Sequence, residues 1–319
     1  MRKAVGDSPL ILPERKMQMD GYLFVHFSGE SEDGEQIYFA VSEDGLHWKD
    51  LNHGHPVLRS GIGQKGVRDP FMIRNKRTGK FVIIATDLRM ANGQSWENAR
   101  TNGSRSIVVW ESENLVDWSI PRLVDVGLDN AGCVWAPEAV FCEEKQAYMM
   151  FWASMTKEPQ EGQCKQKIFC SMTEDFVHFS DPVKYIEKEN DVIDTTIVKH
   201  GMYYYRFSKN ESLGVIQAEK SRDLLHGPYE PFSCEALEQL KGVEGPEAYP
   251  LDENGKWCLI VDQYGTGGGY LPLIAEHLEK GDFHRVEPKD YDMGTVTKRH
   301  GCVLPVSRPE MQRLLDAYS

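Results

Sequence analysis

The apolar and polar positions of this chain fall into short runs separated by turn residues, and the runs recur. Runs rich in Val, Ile, Phe, Tyr and Trp and bounded by turn residues predict β-strands. One repeated unit is such a run followed by Ser or Thr, acidic residues, a bulky apolar residue and an aromatic residue. Its copies are Gln36 to Trp48, Ser106 to Trp118, Lys167 to Phe179 and, more weakly, Gly214 to Tyr229 and Leu271 to Val286. The chain therefore predicts a fivefold repeat.

A second unit, two strands joined by a short polar turn, lies upstream of four of these copies. For the fifth copy the unit is divided between the chain ends, with one strand in Asp20 to Gly29 and the other in Arg299 to Ser307. Pairing of these two strands would close a ring and remove its open edges. We predict an all-β fold, a five-bladed β-propeller forming a single domain over residues 1–319. A β-sandwich or two stacked β-domains would not explain five copies of one unit.

The composition limits the classes of partner that the predicted domain can bind and the compartment in which we expect it. The 319 residues carry a formal net charge of -13, and no stripe of Lys and Arg stands out. Nucleic acid and acidic membrane surfaces would be repelled, so a neutral substrate is expected. The seven cysteines are odd in number and have no C-x-x-C spacing, which favours a reducing compartment. Residues 1–16 lack the apolar core of a secretory signal, so we expect a cytoplasmic protein.

The first strand of each blade lines the central channel of a propeller, so its polar residues converge on the axis. Four of the five predicted first strands offer a carboxylate at what the repeat predicts to be one shared position, and the fifth offers a histidine. Clustered carboxylates push their pKa values apart, and glycoside hydrolysis needs one protonated and one ionised carboxyl group. The five residues are Asp69, Glu138, Asp194, Glu244 and His300.

The order of the motifs RDPF, WAPE, VIDTTIVKHGMYYY, VEGPEAY and RHG resembles glycoside hydrolase family 43 over roughly Asp20 to Ser307. That resemblance implies a five-bladed propeller acting with inversion on α-L-arabinofuranosides or β-D-xylosides. It implies that Asp69 is the general base, that Asp194 tunes the pKa of the acid and orients substrate, and that Glu244 is the general acid. Each residue alone could serve a turn or a local hydrogen bond, as Asp-Pro often does.

The resemblance also assigns residues to binding. Trp135 would pack against the sugar in the first subsite, although a single Trp is as often core, and Glu138 would be a less certain polar contact. His300 would touch a hydrated metal, commonly calcium, in the channel, whereas a lone His is usually a hydrogen-bonded core residue. No cofactor is expected to be required for the chemistry itself.

We therefore predict an inverting, exo-acting glycoside hydrolase that releases L-arabinofuranose from arabino-oligosaccharides. The alternatives are a β-D-xylosidase of the same family and a non-catalytic, sugar-binding propeller; a phosphorylase of the related mannoside type would need a phosphate site, and no Arg/His cluster suggests one. Sugar specificity is expected to lie in the loops Met90 to Arg105, Thr156 to Lys165 and Gly265 to Leu271.

Overall fold

The structure is a computed structural model, and it describes residues 19–157 and 164–319. These residues form five four-stranded antiparallel sheets that surround one axis. The innermost strands of neighbouring sheets contact one another all the way around, so the sheets are the blades of a closed five-bladed propeller. The N-terminal segment considered as a secretory signal, and most of the predicted specificity loop Thr156 to Lys165, lie outside the described residues.

The blades are named here in chain order, and their strands run from the channel outward. Blade 1 combines the last strand with the first three, in the order β20-β1-β2-β3, and blades 2 to 5 each use four consecutive strands. Blades 1 and 2 contain β20 (Arg299–Val306), β1 (Gly21–Phe27), β2 (Tyr38–Ser42), β3 (Lys49–Asp50), β4 (Val67–Arg74), β5 (Phe81–Asp87), β6 (Ser106–Ser112) and β7 (Arg122–Asp125). Blade 3 contains β8 (Trp135–Cys142), β9 (Ala147–Lys157), β10 (Cys164–Thr173) and β11 (Val183–Ile186). Blades 4 and 5 contain β12 (Val192–His200), β13 (Tyr203–Asn210), β14 (Val215–Ser221), β15 (Glu230–Pro231), β16 (Glu244–Pro250), β17 (Trp257–Asp262), β18 (Tyr270–Ala275) and β19 (His284–Arg285).

Blade 1 is closed by pairing of the two chain ends, as the divided repeat predicted. Strand β1 is antiparallel to β20, with Gly21 opposite Val306 and Val25 opposite Cys302. Gly301 lies where the strands approach most tightly, because a Cβ there would come within 2.2 Å of the Val25 carbonyl oxygen. The predicted fold class and closure are both confirmed.

The recurring Ser/Thr and acidic residues of the repeat have a structural cause. After the third strand of a blade, an Asp or Asn accepts backbone N–H groups two and three residues further on, which turns the chain toward the fourth strand. Asp44 does this in blade 1, Asn114 in blade 2, Asp175 in blade 3 and Asp223 in blade 4. The repeat that predicts the fold is thus a repeated turn.

Apolar side chains fill the spaces between neighbouring blades, and three short helices supplement the sheets. The helices are α1 (Trp96–Thr101), α2 (Glu235–Glu238) and α3 (Arg308–Tyr318), and the strand repeat did not predict them. A capping signal for α3 was present in the sequence, since Glu310 accepts the Ser307 backbone N–H at 2.9 Å. None of the helices in the described part of the chain is long and apolar enough to cross a membrane. All seven cysteines are free thiols.

Candidate active site

Each inner strand carries an irregularity near its start, and these irregularities shape the site. The register of pairing shifts beside Asp69, Ala136, Asp194, Gly245 and His300. The first four adopt left-handed backbone, with φ between 46° and 52°. Such conformations cost on the order of 1–3 kcal/mol at residues other than glycine and gather at functional sites. A bulge also interrupts strict alternation, so two successive side chains can face the channel.

The residue before each irregularity lines a single pocket at the mouth of the channel. All five of these residues do so, and together with Asp69, Asp194 and His300 they surround a cavity of about 530 Å³. The pocket therefore draws side chains from every blade. The five preceding residues are Arg68, Trp135, Ile193, Glu244 and Arg299.

This register corrects the prediction that four carboxylates share one strand position. Asp69 and Asp194 do occupy equivalent positions, but Glu244 lies one residue earlier, before Gly245. Glu138 lies two residues after the irregularity at Ala136 and is buried outside the pocket lining. Its role as a sugar contact stays a prediction, for a residue that lies outside the pocket lining. Motif spacing could not reveal these offsets, because a bulge changes which residue faces the channel.

The Asp69 carboxylate is held from one side and open on the other. Thr86, on the neighbouring strand β5, donates its hydroxyl to Asp69 Oδ2 at 2.9 Å. The same hydroxyl accepts the Ala136 backbone N–H from blade 3 at 2.8 Å, so its orientation is set. Asp69 Oδ1 points toward His300 Nδ1, 3.5 Å away. Oδ2 is thereby anchored by a hydrogen bond, while Oδ1 makes only this longer contact with His300.

Asp194 lies on the opposite side of the same histidine. Its Oδ1 is 3.8 Å from His300 Nδ1, and its Oδ2 accepts the Gly245 backbone N–H at 3.2 Å. Burial, together with the charges of Glu244 and Asp69, raises the pKa of Asp194 to about 6, against the opposing effects of His300 and Lys209. Gly245 permits this arrangement because a Cβ there would come within 2.8 Å of His300 Cγ. Glycine at this position therefore allows the close approach of the His300 ring.

Glu244 is clamped between two cations. Lys209 Nζ lies 2.8 Å from Glu244 Oε2, and Arg299 donates to Glu244 Oε1 at 2.8 Å. Burial disfavours the ionised form, but the charges of Lys209 and Arg299 outweigh it and hold the pKa of Glu244 below its usual range. Sequence reasoning missed both cations. Arg299 had a signal, since it precedes the RHG histidine as Arg68 precedes Asp69, whereas Lys209 had none.

A second carboxyl pair lies deeper in the channel. Glu138 and Glu247 both lie two residues beyond the irregularities of their strands and are almost fully buried. Glu247 accepts the Val303 backbone N–H at 2.9 Å and the Thr196 hydroxyl at 3.3 Å. Burial raises the pKa of Glu247 to about 8, and burial together with the charge of Glu247 raises that of Glu138 well above its usual range. Two inner strands thus carry a buried carboxyl group two residues beyond the irregularity that shapes the pocket.

Comparison with known proteins identifies the family. A family model described as a probable glycosyl hydrolase domain, related to family 43, matches residues 18–312. The chain belongs to this family 43-related group of glycosyl hydrolases. A curated α-L-arabinofuranosidase from Bifidobacterium longum subsp. longum is 32% identical over 212 residues, which cover 61% of this chain and 20% of that protein. The chain thus matches only about one fifth of the length of that relative.

Solved structures of family 43 glycoside hydrolases share the propeller. A putative exo-β-1,3-galactanase from Bifidobacterium bifidum superposes with a TM-score of 0.58 at 14% identity, covering 88% of this chain and 91% of its own. A family 43 protein from Bacillus licheniformis gives a TM-score of 0.52 at 21% identity, covering 79% of this chain and 46% of its own. At these identities the likeness concerns the fold alone.

The surroundings of His300 bear on the metal predicted there. His300 contacts the carboxylates of Asp69 and Asp194, and a metal there would compete with these contacts. Within residues 19–157 and 164–319, no group of three or more His, Cys, Asp or Glu side chains is arranged to ligate an ion directly. The residues around His300 do not form a shell of direct metal ligands. Calcium at His300 stays a prediction.

Proposed function

We propose that this chain is an inverting, exo-acting glycoside hydrolase that releases L-arabinofuranose from arabino-oligosaccharides. The observation that carries the proposal is the convergence of Asp69, Asp194 and Glu244, from three blades, on one pocket. Further along two of the inner strands Glu138 and Glu247 are almost fully buried, which favours a pocket that ends within the channel. A dead-end pocket favours removal of terminal sugars over cleavage within a chain.

Asp69 is proposed as the general base. The Thr86 hydroxyl satisfies its Oδ2, which leaves Oδ1 to accept a proton from a water molecule on one face of the sugar. Its left-handed backbone, at φ 49°, is the strained conformation that aims this side chain at the channel. Inversion requires about 6.5–9.5 Å between base and acid, so that water fits between base and anomeric carbon.

Glu244 is proposed as the general acid, and it must carry a proton to protonate the leaving oxygen. In the free site Lys209 and Arg299 favour its ionised form, while the neighbouring Asp194 titrates near pH 6. The two interact, so they titrate as a pair. Substrate binding that draws Lys209 or Arg299 away from Glu244 would shift the shared proton toward it.

The choice of L-arabinofuranose rests on the Bifidobacterium longum relative, which is described as an α-L-arabinofuranosidase. The first test incubates the protein with nitrophenyl α-L-arabinofuranoside, β-D-xyloside and β-D-galactoside and follows the released sugar by NMR. We expect the arabinoside to be cleaved fastest, with the β-anomer of arabinose formed first. Faster cleavage of the xyloside would replace the sugar assignment, retained α-configuration would contradict inversion, and no cleavage would favour a sugar-binding propeller.

A second test separates the acid from its neighbour. Leaving groups that are already acidic need little protonation, so loss of the acid should hardly affect them. We expect Glu244→Gln to lose about 10²–10⁴-fold in kcat on an arabino-oligosaccharide but far less on a dinitrophenyl arabinoside. Asp194→Asn should slow both substrates alike. If the pattern appears in Asp194→Asn instead, the acid role belongs to Asp194.

The remaining properties stay predictions with their own tests. An oligosaccharide is the expected partner, and a cytoplasmic location was expected from the sequence. Activity that depends strictly on phosphate would indicate a phosphorylase in place of a hydrolase. Loss of activity on treatment with a chelator, restored by calcium, would support the predicted metal at His300.

A further inference from the structure

The large apolar side chains that are exposed to solvent differ in kind between the pocket and the rest of the surface. Eight are exposed among the described residues, and only two of them are aromatic. Those two, Trp96 and Tyr264, both line the active-site pocket, whereas the aliphatic ones lie elsewhere. Trp96 is 43% exposed, and an indole left open to water at a binding pocket is a typical platform for the apolar face of a sugar.

Trp96 is held in place by contacts that reach into the buried structure. It is the first residue of α1, and the Ser95 side chain caps that helix by accepting the Asn98 N–H at 3.1 Å. The completely buried Ala99 packs α1 against Leu88, Met90 and Trp135. The Trp96 ring is therefore preorganised before any ligand arrives, which lowers the entropy lost on binding.

The Arg68 guanidinium supports the indole ring. Its carbon lies 5.1 Å from the Trp96 ring centroid, within the range of a cation–π contact. Arg68 is itself fixed by an ion pair of 3.0 Å to the buried Glu35. The two oxygens of Glu35 also accept the backbone N–H groups of Met90 and Ala91, which orders the loop leading to α1.

The contact of Trp96 with Trp135 indicates which sugar Trp96 would meet. Trp135, next to the irregular strand position, meets Trp96 edge to face at 6.0 Å between ring centroids. Trp135 is half-buried beside the carboxylates, and Trp96 continues the aromatic wall outward to the solvent. The sugar to be released would lie against Trp135, and the next sugar along the chain would reach Trp96.

We propose that Trp96 is the platform for the leaving-group sugar, so this site prefers glycosides whose leaving group is another sugar over those with a small alcohol. This inference rests on the proposed hydrolase function. Arg100 and Glu211, 3.8 Å apart at the mouth, supply polar groups for the hydroxyls of that second sugar. Tyr264, which directly precedes the loop 265–269, lines the same pocket.

The test compares Trp96→Ala with wild type on arabinobiose and on methyl α-L-arabinofuranoside, which lacks the second sugar. We expect kcat/KM on the disaccharide to fall about tenfold or more, as for loss of one well-packed aromatic contact, with little change on the methyl glycoside. Trp96→Phe should retain most of the activity. Ile120→Ala, which removes an exposed apolar side chain outside the pocket, is the matched control and should change neither substrate.

Equal losses on both substrates, or no loss on either, would overturn the proposed platform. If wild type cleaves neither glycoside, the proposed hydrolase function fails, and the platform is then judged by binding alone. Calorimetry in the Asp69→Asn background with arabinotriose and xylotriose serves this purpose, since no turnover interferes. Weaker binding after addition of Trp96→Ala supports the platform, and unchanged or absent binding overturns it.

Discussion

Two layers of carboxyl groups in the central channel share one chemistry but differ in their surroundings. At the pocket, Glu244 contacts Lys209 and Arg299, which favour its ionised form. Deeper in the channel, the carboxyl groups of Glu138 and Glu247 lie near each other and accept neutral hydrogen-bond donors, and burial favours their protonated forms. A displacement of two or three residues along an inner strand thus separates groups fit for acid–base chemistry from groups that fill the core.

The largest effect should come from removing one carboxylate at the pocket while the deeper carboxyl groups Glu138 and Glu247 stay unchanged. We expect Asp69→Asn to lower kcat/KM on an aryl α-L-arabinofuranoside by about 10²–10⁴-fold, because the amide can still accept the Thr86 hydroxyl but cannot accept a proton from water. Steady-state kinetics measures this loss, and an unchanged melting temperature shows that the fold is retained.

Glu138→Gln is the matched control, because an amide imitates a protonated carboxyl group. It should change kcat/KM by less than about threefold if Glu138 only fills the channel. A loss as large as that of Asp69→Asn would show that the deeper layer takes part in the chemistry and would remove the distinction between the layers.

A smaller effect on activity should follow when the carboxyl groups at the pocket lose a neighbouring cation. Because Lys209 lowers the pKa of Glu244, Lys209→Met should raise that pKa and keep the acid protonated to higher pH. The basic limb of the plot of kcat/KM against pH should then move upward by about one unit. Lys256→Met, which breaks the 3.0 Å pair with Glu276 outside the pocket, should leave the limb in place. A downward shift would contradict the role of Lys209.

The smallest effect concerns stability. The pKa of Glu138 is raised on folding, so the native protein keeps a proton that the unfolded chain releases above about pH 4.5. Stability from this group is complete below that pH and is lost as pH rises toward the folded pKa. Each pKa unit corresponds to about 1.4 kcal/mol. Glu138→Gln, which cannot titrate, should therefore become more stable relative to wild type as the pH rises from 4 to 8.

Urea unfolding at both pH values measures this gain. The exposed variant Glu32→Gln serves as the control, since its side chain is solvated in both states and should show no such trend. A constant difference between Glu138→Gln and wild type at the two pH values would mean that Glu138 is not held in its protonated form.

Much of the fold could be predicted because its signal is local and repeated. The Asp44, Asn114 and Asp175 turns recur at one place in blades 1 to 3, and the split of one unit between the chain ends predicted the pairing of β1 with β20. The short helix α1 was not predicted, because its six residues have no apolar periodicity and it is ordered by tertiary contacts with Leu88, Met90 and Trp135. The loop that contains α1 belongs to the segment Met90 to Arg105, which stays a prediction for sugar specificity.

By itself the sequence determined the number of blades, their closure and the strands from which Asp69, Asp194, Glu244 and His300 reach the channel. Only the tertiary structure decided the depth of each carboxyl group and the charged or neutral groups that face it. The reason is that both depend on a single-residue bulge and on partners far apart in the chain. Lys209 meets Glu244 across two blades, and Arg68 meets Glu35 beneath Trp96. A repeat encodes the turns within a blade, whereas distances between blades exist only once the ring has closed.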